Sequence, residues 1–284
     1  MKIKILLLAL FSLVLSSSSY AQFDKPMFQF GIGIAEPMDQ LKGDDYIMYL
    51  PNGLMYVDTN FLAKNYAAKT GIHLFGSGKI NFDKYSITRG TAFIAFNSFN
   101  TFQSSRNGVT GIVIAGDTLP TSASYNYSFT NFALGFGFEV APSAFTGLIS
   151  PFAGVNLSLN FMGGELTRTE GYNDTNRVAF NGFRLGVNFN GGIEVKFNKN
   201  WGIVAGMKYD LGNLLLASGD RSVSGRVEWG RTGISLNDEG GEFISNLSSP
   251  LGGQFERYKS EEKKVNWGTV YLGLNFYPNI GKTK

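Results

Sequence analysis

Apolar and polar residues alternate with a period of two through much of this chain, the spacing of a strand whose two faces meet different surroundings. Phe28, Phe30, Ile32 and Ile34 fall on one parity, with Gln29, Gly31, Gly33 and Ala35 on the other. Ile72 and Leu74 alternate with Gly71, His73 and Ser77, and Phe132, Leu134, Phe136, Phe138 and Val140 with Asn131, Ala133, Gly135, Gly137 and Glu139. Ala153, Val155, Leu157, Leu159 and Phe161 are set against Gly154, Asn156, Ser158 and Asn160. The longest case sets Phe183, Leu185, Val187, Phe189, Ile193 and Val195 against Arg184, Gly186, Asn188, Asn190, Gly192, Glu194 and Lys196. The last sets Val270, Leu272, Leu274 and Phe276 against Thr269, Tyr271, Gly273 and Asn275. Two less regular segments, 86–100 and 201–212, complete eight predicted strands; in the first, Ala92, Ile94 and Phe96 form the apolar parity because Arg89 and Asn97 share the other.

The connections alternate in length. Asp83-Lys84-Tyr85, residues 141–150 and Asn198-Lys199-Asn200 are short, whereas 37–65, 103–122, 166–179 and 217–264 are long and collect Asp, Asn, Ser, Pro and Gly. Residues 103–122 and 217–264 leave open whether further strands raise the count from eight to ten.

The composition of the two faces decides which way such a sheet closes. A soluble barrel would turn Phe and Leu inward and show water a face rich in Lys, Glu and Thr. Here the polar face is mostly Gly, Asn, Ser and Ala with scattered charges, small enough for a narrow lumen, and the other face is Phe, Leu, Ile and Val. The expected fold is therefore all-β: an eight-stranded antiparallel up-and-down transmembrane β-barrel, with short periplasmic turns, long extracellular loops and both termini on the periplasmic side. Tyr209, Tyr271, Tyr277, Trp201 and Trp267 fall near strand ends, where rings at headgroup level are expected.

Composition adds three constraints. Charged residues make up 17% of the chain, below the roughly 25% of soluble domains, and glycine is abundant at 36 of 284 residues. Cysteine is absent, which excludes disulfides, thiolate metal sites and a cysteine nucleophile. Residues 1–21 read as a secretory signal peptide: Lys2 and Lys4 precede an apolar run from Ile5 to Leu15, and Ser19 and Ala21 supply the small residues of a cleavage site. Residues 22–284 are then the barrel domain, secreted through the Sec route. Without Lys2 and Lys4 the formal net charge falls from +3 to +1, too small to attract nucleic acid or anionic surfaces.

Three stretches carry a family resemblance: the Tyr20-Ala21-Gln22 cleavage site, the first strand Phe28-Gln29-Phe30-Gly31-Ile32-Gly33-Ile34, and the last strand from Gly268 to Phe276. Over residues 26–278 the chain resembles the small OmpA/OmpX-like outer-membrane barrels, and especially the PorT-like barrels. The resemblance implies residence in the bacterial outer membrane, contact with its lipid, and handling by the barrel-assembly machinery, which reads an aromatic-ended last strand. This chain departs from many relatives in continuing from Tyr277 to Lys284.

The search for chemistry returns little. His73 is the single histidine, on the expected lumen face with Phe75 and Ser77. Residues four apart on a strand are roughly 13 Å apart, too far for a nucleophile and its base. Lys69, His73, Lys79, Arg89, Arg184, Lys196 and Lys208, with Glu139, Glu194 and Asp210, are expected to form a polar network filling the lumen, because eight strands enclose only enough room for their own side chains. Asp44-Asp45, Asp238-Glu239 and Glu261-Glu262-Lys263-Lys264 read as solvated loop charge. No catalytic group, cofactor site or metal site is expected, and no basic-aromatic stripe suggests nucleic acid.

The function these features imply is non-enzymatic, structural or binding, with the extracellular loops as a surface for a protein partner or ligand. Tyr46, Met48, Tyr49, Leu54, Met55, Tyr56, Trp229 and Phe243 are the expected contact residues, and 222–245 the segment expected to be needed for binding but not for insertion. The alternatives are a narrow channel or transporter of small or apolar solutes, and a lipid-modifying hydrolase using His73.

Overall fold

A computed structural model describes residues 26–43, 47–49, 55–57, 64–82, 87–101, 108–114, 117–142, 148–170, 174–219, 231–245 and 256–278. The signal segment 1–21, the Asp83-Lys84-Tyr85 turn, the tail beyond 278, and Tyr46, Leu54 and Trp229 lie outside these residues, as do the side chains of Met48, Tyr49, Met55, Tyr56 and Phe243.

Every regular element among the described residues is a strand. In chain order they are β1 (Met27–Met38), β2 (Ile47–Tyr49), β3 (Met55–Val57), β4 (Lys69–Asn81), β5 (Thr88–Asn100), β6 (Gly108–Ile114), β7 (Asp117–Val140), β8 (Ile149–Glu170), β9 (Asp174–Lys196), β10 (Trp201–Leu215), β11 (Arg231–Ser235), β12 (Glu239–Ser245), β13 (Glu256–Glu262) and β14 (Asn266–Phe276). Eight of them close into a ring, β1-β4-β5-β7-β8-β9-β10-β14 and back to β1, each pair antiparallel. Closure leaves no sheet edge along the wall, the condition a strand must meet to cross hydrocarbon. All eight coincide with segments of alternating parity in the sequence.

The other strands belong to the long connections and leave the closed ring at eight. β6 folds back on β7 from Gly108↔Ala123 to Ile114↔Asp117, β11 runs parallel to β9, and β12 pairs with β13 and β2 with β3. One expected loop, 166–179, is instead a continuation of the wall: β8 and β9 stay paired without interruption from Ile149↔Val195 to Glu170↔Asp174. Thr167, Thr169, Thr175 and Val178 suit an extended backbone even where the polarity alternation ends, which is why pattern alone stopped the strands early.

The faces divide as the parity requires. Ile34, Met207, Val270 and Leu272 point outward with 61–66% of their surface exposed, whereas His73, Asn97, Asn131, Asn188 and Asn275 point inward with at most 1%. In water that outer belt of Phe, Ile, Leu and Val would be a large exposed apolar surface; in a bilayer it faces acyl chains. The chain is a membrane-spanning barrel of the kind bacterial outer membranes hold.

Inward glycines make room for large lumen side chains. A Cβ on Gly31 would lie 2.4 Å from the Leu272 carbonyl oxygen and 2.5 Å from the Phe75 ring. Two rings assigned to the headgroup belt belong inside instead. Trp267 and Tyr271 are 1% and 2% exposed, because they share the inward parity of β14 with Thr269. Trp201 and Tyr209 do face outward.

Candidate functional site

The lumen is filled in three layers, built from inward residues of opposing strands. The layer at the short-turn end is ionic. Lys79 of β4 places its Nζ 3.0 and 3.1 Å from the carboxylate oxygens of Glu139 on β7, and 3.0 Å from Oε1 of Glu194 on β9. Arg89 of β5 donates from Nη1 to Glu194 Oε2 at 2.8 Å, from Nη2 to Glu194 Oε1 at 3.1 Å, and from Nη2 to Glu139 Oε1 as well. Two cations and two anions thus neutralise one another, and Lys79 also lies 4.4 Å above the centre of the Phe152 ring. Pairing of this kind is what makes buried charge tolerable.

The middle layer is a chain of amides and hydroxyls. Thr91 donates to Asn156, Asn156 to Asn188 at 3.0 Å, and Asn188 to Asp210 at 2.7 Å. Asn131 donates to Asn160, and at the short-turn ends of β1 and β14 Gln29 donates to Asn275. His73 has its Nδ1 2.7 Å from Asn97 Oδ1 and its Nε2 3.3 Å from Lys208 Nζ. Three rings surround that ammonium: Phe75, Phe93 and Tyr271 have centroids at 4.7, 5.2 and 5.4 Å. Among the described residues, no serine or carboxylate bonds the imidazole.

The layer at the loop end is aromatic. Phe99, Tyr127, Phe129, Phe180 and Trp267 from the wall pack with Tyr66, Met162, Leu166 and Val265 in one buried cluster. The connection between β10 and β14 adds Leu236 to this cluster and brings Asp238 to Arg184. Arg184 Nε donates to Asp238 Oδ2 at 2.8 Å and Oδ1 at 3.1 Å, with a further bond from Nη2. Asn213 Nδ2 and the Ser218 N–H complete the carboxylate's partners at 2.8 and 3.1 Å. The Tyr66 hydroxyl donates to the Leu236 carbonyl, the Tyr127 hydroxyl to the Tyr66 carbonyl, and Lys263 Nζ to the Asn237 carbonyl at 2.9 Å.

Burial pushes the Asp238 carboxyl up, but the hydrogen bonds from Arg184, Asn213 and Ser218, with the guanidinium charge, outweigh it and hold the group below the usual carboxylate range. Burial likewise pulls the Lys263 ammonium down to about 8, against the opposing pull of Asp238 and Glu261.

Of the ten lumen residues the sequence singles out, Lys79, Arg89, Glu139 and Glu194 meet in one cluster, His73 meets Lys208, Asp210 joins the amide chain, and Arg184 stands in the aromatic layer. Lys69 and Lys196 do not join them. Both are exposed at strand ends, Lys69 beyond an irregularity in the β4–β5 pairing and Lys196 over the Tyr277 ring. Asp238 and Lys263, read as solvated loop charge, are each 1% exposed. A clue to Asp238 was present: six cations against three anions on the lumen parity call for acid from elsewhere. Among the described residues no three His, Asp or Glu side chains gather where a metal ion could bind.

No protein-family model matches the chain, and no curated protein matches it. Solved structures to which it is similar include Neisserial surface protein A, at 10% identity and a TM-score of 0.39 over 88% of this chain and 96% of that one. Outer membrane protein OprG of Pseudomonas aeruginosa gives 9% and 0.42 over 89% and 95%. A major outer membrane protein from Thermus thermophilus gives 10% and 0.43 over 89% and 99%.

Proposed function

We propose that this chain is a closed outer-membrane barrel with a structural or binding role, not an enzyme and not an open pore. One observation carries the reading: β4 and β9 lie four strands apart in the ring of eight, on opposite walls, yet Lys79 and Glu194 bridge them across the axis at 3.0 Å. Ion pairs crossing the axis at one end and aromatic rings packed at the other support a lumen filled by its own side chains. The loop-end crown, where β7, β8 and β9 run 22 to 24 residues against the 9 to 11 a crossing needs, is the surface for a protein partner or ligand. The PorT-like resemblance of the first and last strands is the finer family assignment, in keeping with lipid and the assembly machinery as partners.

A hydrolase using His73 is disfavoured, because both ring nitrogens already face Asn97 and Lys208. Planar-bilayer recording tests closure: purified protein is expected to give no steady conductance, and a large, steady current would overturn the reading.

A further inference from the structure

The barrel mouth is closed by the chain's own Leu236-Asn237-Asp238, and these residues occupy it as a ligand would. Leu236 inserts its side chain among the rings at the loop end, 2% exposed, in the same buried cluster as Tyr66, Tyr127, Phe129, Phe180 and Trp267. Two residues on, Asp238 presents a carboxylate to the Arg184 guanidinium through Nε and Nη2. An apolar group and a carboxylate thus enter side by side, one into an aromatic box and the other onto a buried cation belonging to the wall.

A further observation marks the tripeptide as an occupant held at a local cost. Asn237 adopts a left-handed backbone, φ 52°, a conformation asparagine accepts readily, and so forms the turn that carries Leu236 and Asp238 into the mouth. Its side-chain amide is buried at 3% exposure with neither nitrogen nor oxygen hydrogen-bonded, and Trp267 Nε1, in the box itself, is likewise without a partner. An unmade hydrogen bond in a buried site is costly, and a group that fills it gains accordingly.

We propose that the mouth of the barrel is a binding site for a small apolar carboxylate, which Leu236 and Asp238 occupy in cis. The ligand's acid group takes the place of the Asp238 carboxylate on Arg184, and its aromatic or branched tail takes the place of Leu236 among the rings. The proposal names the ligand class for the binding role argued above, and rests on that reading. Leu236 and Asp238 stand on either side of the left-handed Asn237, so the ligand that fits is one whose acid and tail are joined by a short linker. A three-carbon acid bearing a phenyl ring is such a compound.

The test is calorimetric titration of the full-length mature protein in nanodiscs with 3-phenylpropanoate, and with 3-phenylpropanol as the uncharged counterpart. Asp238→Asn removes the competing charge and is expected to tighten carboxylate binding roughly tenfold or more over the wild-type chain, while leaving the alcohol unchanged. Leu236→Ala is expected to tighten both compounds, since it vacates the box alone. Arg184→Gln is expected to abolish the preference for the acid. Each variant is first checked for folding by its heat-dependent electrophoretic shift. If folded Asp238→Asn and folded Leu236→Ala both bind the acid no better than wild type, the proposal is overturned. That result leaves the closed-barrel reading standing, because closure is judged by conductance of the wild-type protein, and a conducting wild type sinks closure whatever the titrations show.

Discussion

Lys79 and Glu194 come from opposite walls of the barrel and meet at 3.0 Å, each side chain 3% exposed. Such a bridge ties the barrel across its axis, but its stability is that of a balanced set, since Lys79 and Arg89 both pair with Glu139 and Glu194. Lys79→Met leaves two carboxylates facing one guanidinium, and is expected to cost about 3–5 kcal/mol. Adding Glu194→Gln restores balance to the remaining Arg89 and Glu139 pair, so the double variant is expected to be more stable than Lys79→Met alone. Urea titration of vesicle-inserted protein measures both. Additive losses would show that the four groups do not act as one set.

Glycines on the two faces of the wall are expected to respond in opposite ways to the same methyl group. Gly31→Ala drives a Cβ to 2.4 Å from backbone oxygen and into the Phe75 ring, so it is expected to destabilise by about 1–3 kcal/mol. Gly78 shares the outward parity of Ile72, Leu74 and Ile80, and its nearest neighbours are carbon atoms of Phe28 at 3.9 and 4.0 Å. Gly78→Ala is expected to be close to neutral in the same urea titration. Equal effects at both positions would contradict the assignment of faces.

The eight wall strands were legible because a two-sided environment writes itself as parity: Phe28 to Ile34 and Val270 to Phe276 could not face water and lipid in any other register. The ionic cluster was half legible. Parity placed Lys79, Arg89, Glu139 and Glu194 on one face, but not at one height, since which inward residues share a level depends on the stagger between strands. Lys69 and Lys196 have the expected parity and still fall outside, because parity does not say where the wall ends. The aromatic layer was least legible. Tyr66, Leu236 and Asp238 come from loops with no period to read, and Trp267 near a strand end resembled a headgroup anchor until its neighbours Thr269 and Tyr271 fixed its side. Within 222–245, the segment expected to be needed for binding but not for insertion, Leu236 to Asp238 lie inside the mouth.

The outer belt gives the test on which the orientation depends. Leu272 is 66% exposed near the middle of β14, with Ile32 and Ala205 as its cross-strand neighbours. On a soluble protein, arginine at so exposed a position would be nearly neutral. On a barrel wall facing hydrocarbon, Leu272→Arg is expected to cost roughly 2–4 kcal/mol in the vesicle titration, and Lys at the same position a similar amount. Tyr209→Arg, opposite Gly268 near the loop end of β14, is expected to cost less, since the penalty falls toward the interface. A neutral Leu272→Arg would place water where the belt faces.

The latch at the mouth should make stability depend on pH in two separate windows. Asp238 is held below its ordinary value of 3.8, so the stability it contributes is present above that value and is lost as pH falls through the lower folded value. Lys263 behaves oppositely. Its folded value of about 8 lies below the ordinary 10.5, so between the two the unfolded chain holds a proton the folded one has released, and stability rises with pH across that window. The urea midpoint of vesicle-inserted protein, followed from pH 3 to pH 10, is therefore expected to fall at the acid end and climb at the alkaline end. Asp238→Asn should flatten the acid limb while keeping most of the latch's hydrogen bonds. Lys263→Met should flatten the alkaline limb and largely leave the acid one, because Arg184, Asn213 and the Ser218 N–H are what hold the Asp238 carboxylate charged. A midpoint that rises with acidity in the wild-type protein would reverse the sign assigned to Asp238, and with it the view that Arg184 holds a charged carboxylate in the closed mouth.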